Sequence, residues 1–221
     1  MTLHLTQISL DLNSADARRD LSDPYDMHRT LCRAFIQDND TPAPFLWCLE
    51  EAKPGSPPLV LIQSALVPAW ENLPDGYLLQ RALRSWEPEA VIKAGQHIRF
   101  RVLANPTINR VPEPRPGQPS PTGPARNNRK RIGLTRNDEQ LSWIQRKCSE
   151  LGLIDVGAVV TNSGRIRCQR KVGHTITVVK AQFDGQALVK DPAALAAGIR
   201  NGIGRARMLG LGLVSVALSR Q

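Results

Sequence analysis

The chain has 221 residues, 41% of them hydrophobic, and a formal net charge of +9 at pH 7. That apolar content supports packed cores and excludes a disordered chain. The densest apolar stretch, "LGLGLVSVAL", is glycine-broken and far short of the ~18 residues of a membrane span.

The charge divides unevenly. Residues 1–90 carry 7 Lys and Arg against 13 Asp and Glu, a net of −6, while residues 91–221 carry 22 against 7, a net of +15. A half-chain that basic, with its arginines clustered, points to a polyanion partner. Cys32, Cys48, Cys148 and Cys168 are widely spaced, with no C-x-x-C pair, and read as reduced thiols of a cytoplasmic protein.

In chain order, the opening "MTLHLTQISLDL" has no basic region before an apolar block, so no secretory leader is expected. "LHLTQISL" is strand-like, with an apolar phase slip between Leu5 and Ile8 that allows a bulge. A helix is expected from Pro24 to about Phe35, capped by Ser22 or Asp23, with Met27, Leu31 and Phe35 as its buried stripe. "FLWCLE" is a strand with Phe45, Trp47 and Leu49 on one face, and "PLVLIQSA" a second. A short helix around Trp70 and a weak strand near Leu83–Trp86 complete a β-α-β-β-α-β unit over residues 1–90.

The order then repeats over residues 91–221. "QHIRFRVLANPT" alternates Ile98, Phe100 and Val102 against His97, Arg99 and Arg101, which predicts a half-buried strand. "NDEQLSWIQRKCSELG" is a helix capped at Asn137 or Asp138, with Leu141, Ile144, Cys148 and Leu151 apolar and Gly152 at its end. "GRIRCQRKVGHTITVVKAQF" reads as a strand pair, Asp191-Pro192 opens a helix, and "LGLVSVAL" is a closing strand. The fold class is therefore α+β: two tandem ferredoxin-like domains joined near residue 90. Six prolines between Pro112 and Pro124 rule out regular structure there, so 111–131 is expected to be an exposed, mobile loop ending in Arg126, Arg129, Lys130 and Arg131.

"GIGRARMLGLG" places Gly202, Gly204, Gly210 and Gly212 after a helix and before a strand. Glycine there lets the backbone pass close to another backbone or to a phosphate. The run is not G-x-G-x-x-G, because Arg207 stands at the third glycine, and it has no Walker lysine, which argues against a Rossmann or P-loop enzyme. G-x-G, five residues, then G-x-G resembles the glycine-rich loop of repeat-associated RNA-binding proteins of CRISPR systems. "ARRDLSDPYDMHRTL", "RVLANP", "EQLSWIQRK" and "GIGRARMLGLGLVSV" occur in the order seen in the CasE family, the crRNA-processing endoribonucleases of the type I-E Cascade complex. The proline-rich segment 111–125 looks like an insertion relative to that pattern.

The resemblance implies two ferredoxin-like domains, binding of a CRISPR repeat stem-loop, and cleavage of the precursor at the base of its 3′ side. It also implies continued association with the product inside Cascade. Family members need no metal or other cofactor and leave a 5′-hydroxyl and a 2′,3′-cyclic phosphate; the basic half offers no Asp and Glu cluster for two metal ions.

On a helix, Tyr25, His28, Arg29 and Cys32 share one face beside the core stripe. The family's catalytic tyrosine and histidine fall on Tyr25 and His28. Histidine suits proton transfer near neutral pH. Tyrosine is better suited to orient the 2′-hydroxyl or phosphate, and Arg29 to stabilise charge on phosphorus. Which group serves as acid and which as base is open.

For RNA grip the first choice is the hairpin bearing Arg165, Arg167, Arg170 and Lys171. Arg205 and Arg207 follow, then Arg129, Lys130 and Arg131, with Arg18 and Arg19 near the cut. The aromatic content, 5%, lacks the paired strand aromatics of a single-strand-stacking sheet and favours a duplex ligand. The rival is a non-cleaving RNA-binding subunit of the same superfamily, in which Tyr25 and His28 merely pack.

Overall fold

The structure is a computed structural model that describes residues 2–36, 43–50, 54–110, 130–171 and 174–219. In chain order its strands are β1 (Leu3–Leu10), β2 (Phe45–Leu49), β3 (Leu59–Ser64), β4 (Leu78–Trp86), β5 (His97–Ala104), β6 (Thr107–Arg110), β7 (Lys130–Gly133), β8 (Leu153–Lys171), β9 (His174–Val189) and β10 (Val214–Leu218). The helices are α1 (Ala15–Ser22), α2 (Pro24–Cys32), α3 (Pro88–Val91), α4 (Asn137–Glu150) and α5 (Pro192–Asn201). β2-β3-β1-β4 form one antiparallel sheet and β10-β5-β9-β8 another. Each has the strand order of a βαββαβ unit, so the α+β fold of two tandem ferredoxin-like units is the observed one. None of the described helices is long and apolar enough to cross a membrane.

In the first unit, Asp23 rather than Ser22 caps α2, because Ser22 ends the preceding α1, a helix not foreseen from the sequence. Met27, Leu31 and Phe35 are buried as expected, though the last lies on a 3-10 turn (Arg33–Phe35) beyond the α-helix. The second helix of this unit shrinks to the 3-10 turn Trp70–Asn72. β1 keeps alternation by placing Thr6, 1% exposed, inward with Ile8 and Leu10; its irregularity falls at Ser9/Leu10 against β4, not between Leu5 and Ile8.

On β2, Phe45, Trp47 and Leu49 share a face as alternation predicts. Leu49 is 39% exposed, while Leu46 and Cys48, on the opposite face from Trp47, are buried with Leu213 of the second unit. Both faces of this strand are covered because the second unit packs onto the first sheet. Gln63 there is buried and donates to the Ile199 carbonyl of α5 at 2.6 Å. Arg200 pairs with Glu89 of α3, and that guanidinium holds the Glu89 carboxyl at about 2.

In the second unit, Ile98, Phe100 and Val102 point into the core with Ile144, Phe183, Leu195 and Ile199, while Arg99 and Arg101 face out. Asp191 caps α5 by accepting from the Ala193 and Ala194 amides. α4, by contrast, has donor-only Arg136 at its N-cap and so no side-chain cap; Asn137 and Asp138 already lie in its first turn, where Asp138 pairs with Arg136. The expected loop 111–131 is a strand at its end: β7 begins at Lys130 and pairs with β6, and positions 111–129 lie outside the described residues.

Candidate functional site

The pairing of β5 with β9 ends at Ala104 and Ala181, but β8 and β9 continue together to Lys171 and His174. The basic hairpin therefore projects as a two-stranded ribbon beyond the sheet. It does not project into open space. Cys168, on its inner face, is 2% exposed, and the Gln169 amide donates to Asp23 at 2.9 Å, directly at the N-terminus of α2. The second unit's hairpin and the first unit's helix α2 thus meet.

On α2, Tyr25 and His28 are half-buried and Arg29 is exposed. The His28 ring stacks on Phe45 with centroids 5.2 Å apart, and Phe45 stacks on Phe35 at 4.3 Å, so the core stripe of the helix continues into a platform under the histidine. His28 Nε2 lies 3.7 Å from Cys32 Sγ, while buried Nδ1 has no partner among the described residues. Burial lowers the His28 pKa from the ordinary 6.5, which keeps the imidazole neutral and able to accept a proton. Burial likewise raises the Cys32 thiol, keeping it protonated. Arg29 pairs with Asp26 at 3.1 Å across one helical turn.

Arg18 and Arg19 sit on α1. Arg18 donates to the Leu12 and Asn13 carbonyls and holds the turn before that helix. Arg19 is paired with Asp16 and with fully buried Asp20, whose other oxygen accepts from the Tyr77 hydroxyl at 2.8 Å. Much of its charge is thus spent on ordering α1. Arg19, Arg29 and Arg33 line a recess of about 310 Å³ with Thr30 and Asp26. Arg33 lies one turn past Arg29, within the helix expected to run to about Phe35, and no motif in the sequence singles it out.

Two recesses carry basic side chains of the second unit. One is a cleft of about 500 Å³ between the units, where Arg167 and Lys180 of the hairpin strands face Ser22, Pro24 and Met27, with Asp20 and Glu50 as its acids. The other is a groove of about 610 Å³ along α4 and α5, lined by Arg131, Arg146, Lys147, Arg205 and Arg207, with Glu150 as its acid. Lys180, Arg146 and Lys147 had not been singled out; the "QRK" run of α4 was a legible signal for the last two. Arg165 is exposed on the hairpin, and Lys130 and Arg131 are exposed on β7. Arg129 and the side chains of Arg170 and Lys171 lie outside the described residues.

The glycine-rich segment is a joint between the units. Gly202, Gly204, Gly210 and Gly212 all have positive φ, 65°, 74°, 75° and 94°. A Cβ on Gly210 would sit 2.9 Å from the Trp47 ring, and one on Gly202 2.7 Å from the Gly212 carbonyl oxygen. The close approach that glycine permits is therefore to β2 and to the segment's own backbone, while Arg205 and Arg207 reach the groove. Among the described residues, no three His, Cys, Asp or Glu side chains gather as a metal cluster would.

The family model described as CRISPR associated protein matches residues 3–217. The CRISPR-associated endoribonuclease Cse3 of Thermus thermophilus is 33% identical over 225 residues, covering 96% of this chain and 99% of that protein. The chain belongs to the CasE/Cse3 family. The CRISPR system Cascade subunit CasE of Escherichia coli is 27% identical over 196 residues, 88% of this chain and 92% of that one. Cse3 bound to a 19-nucleotide RNA superposes with a TM-score of 0.81 at 32% identity, over 98% of this chain and all of that one.

Proposed function

We propose that this member of the CasE/Cse3 family is a metal-independent crRNA-processing endoribonuclease of the cytoplasm. It binds the CRISPR repeat stem-loop, cuts at the 3′ base of the stem and stays on its product as a Cascade subunit. Residues 1–90 form the unit that carries the chemistry and residues 91–221 the unit that grips RNA. The observation that carries the reading is the docking of the basic β8–β9 hairpin onto the N-terminus of α2 beside Tyr25 and His28. The relatives' printed descriptions, an endoribonuclease, an RNA complex and a Cascade subunit, support it.

In this reading neutral His28 takes the proton from the 2′-hydroxyl at the scissile position as that oxygen attacks phosphorus. The bond from phosphorus to the 5′-oxygen breaks, and that oxygen takes a proton from solvent water while His28 returns its own to solvent, giving a 5′-hydroxyl and a 2′,3′-cyclic phosphate. Tyr25 orients the 2′-hydroxyl or the phosphate. Arg29 turns from Asp26 to the negative charge building on phosphorus, a charge-assisted contact that strengthens in the transition state. Arg165, Arg167, Arg170 and Lys171 hold the stem by its backbone, with Lys180 beside them; Lys130, Arg131, Arg205 and Arg207 extend the basic surface, Arg129 is assigned to it by sequence alone, and Arg18 and Arg19 border the cut.

One observation favours the rival, a non-cleaving RNA binder: His28 is stacked on Phe45 with Nδ1 buried, as a packing residue would be. His28→Ala separates the two. The ribonuclease loses its cleavage rate by at least ~10²-fold while RNA affinity changes little. A wild-type protein that binds several repeat stem-loops tightly and cuts none is the binder.

A further inference from the structure

Asp23 is shared by two elements that lie 146 residues apart in the chain. Its Oδ1 accepts the Tyr25 amide at 2.8 Å and closes the first turn of α2, and its Oδ2 accepts the Gln169 amide at 2.9 Å near the end of β8. Capping alone needs one oxygen. The second oxygen joins a backbone to a backbone through a two-carbon side chain, which fixes position far better than contact between long side chains.

The Gln169 end of that bond is equally telling. β8 is the edge strand of its sheet, so an N–H directed away from β9 has no ladder partner. The ribbon there extends past the last β5 pairing and lacks a third strand to hold it. Among the described residues, this hydrogen bond is the one that joins the hairpin to α2. Ile166, on the same strand, lines the cleft with Pro24 and Met27.

We propose that Asp23 is a positioning residue that couples the RNA-gripping hairpin to the acid–base helix. A stem held by Arg165 and Arg167 then presents its scissile phosphate to Tyr25 and His28 in register. This role rests on the ribonuclease reading above. Asp23 touches neither substrate nor reacting atoms; it sets the distance between the group that binds and the groups that react. Loss of register of about 1 Å costs up to ~10²-fold in rate, while the arginines that hold the stem are untouched.

Two substitutions remove the same bond from opposite sides. Asp23→Asn keeps a side-chain oxygen, and asparagine caps helices as well as aspartate, but it has one acceptor for two amides. Gln169→Pro deletes the donor, at an edge position whose outward N–H makes no ladder bond and where proline is tolerated. It leaves the α2 cap intact and so carries the test if D23N fails to fold. Single-turnover cleavage of a repeat stem-loop, its equilibrium affinity and the Tm are measured for wild type, both variants and the double variant.

The expected result is a fall in cleavage of about 10-fold or more in each variant, affinity within about twofold, and a double variant no slower than the slower single one. Wild-type rates in both variants, rate losses that multiply in the double variant, or losses that only follow affinity or Tm would overturn the role. A wild-type protein that does not cut overturns the ribonuclease reading itself and the coupling with it; one that cuts, beside unimpaired variants, overturns the coupling alone.

Discussion

His28 concentrates the residue-scale argument. Burial lowers its pKa below the ordinary 6.5, so the folded protein resists the proton that the unfolded chain accepts as pH falls. Its contribution to stability is present above pH ~6.5 and is lost as pH drops below it. His28→Phe should therefore flatten the loss of Tm between pH 7 and pH 5, and an unchanged acid slope would mean that the ring is already charged in the folded state. The same neutrality sets the expected acid limb of kcat/KM below pH 6.5, with activity falling as pH falls; a rate that rises on acidification would assign His28 as the acid instead. Tyr77 anchors the neighbouring helix through Asp20, and burial followed by the Asp20 carboxylate raises its pKa. Tyr77→Phe should cost about 1–3 kcal/mol in urea unfolding, since it leaves the fully buried Asp20 with one partner fewer. The motif around Tyr25 and His28 was legible because Pro24 and Asp23 mark a helix start and the apolar spacing fixes which face is left over. The Asp23–Gln169 contact was not, since no local pattern tells a capping aspartate that its second oxygen will meet a strand from the other unit.

At the element scale, the hairpin and the glycine-rich segment do different work. The hairpin's alternation, with Cys168 inward and Arg165 and Arg167 outward, could be read directly from period-two spacing. Its reach could not, because strand pairing past the end of β5 depends on the register of a third strand. Arg165→Ala and Arg167→Ala should each weaken stem-loop binding and lower the slope of log affinity against log salt by about 1. An unchanged slope would remove that arginine from the phosphate contacts. In the glycine segment, the sequence showed that something must approach closely; the partner, Trp47 on a strand over 150 residues earlier, follows only from how the units stack. Gly210→Ala places a Cβ against that ring at a φ of +75°, and strain of this kind costs about 1–2 kcal/mol before the clash is counted. We expect Tm to fall by roughly 5 °C, with retention of wild-type Tm showing that the joint is loose. On β2, alternation gave Phe45, Trp47 and Leu49 a common face; that the opposite face, with Leu46 and Cys48, is also buried follows only from the packing of the second unit.

For the whole molecule, the ribonuclease reading turns the division of charge between an acidic first unit and a basic second one into a division of labour. The basic unit brings its hairpin and its glycine-rich segment against α2, while the first unit offers a histidine kept neutral by its own core. Two sheets of the same strand order, fused through Gln63, the Arg200–Glu89 pair and the glycine joint, hold these surfaces in one arrangement. The central claim is that this arrangement makes RNA its own nucleophile. It is tested most directly by single-turnover cleavage of a repeat stem-loop in excess EDTA, with the unmodified RNA beside one that is 2′-deoxy at the scissile position. The account predicts a single cut at the 3′ base of the stem that survives EDTA, leaves a cyclic phosphate and disappears with the 2′-deoxy substrate although binding persists. Cleavage of the deoxy substrate at the same site, or its abolition by EDTA, would contradict it.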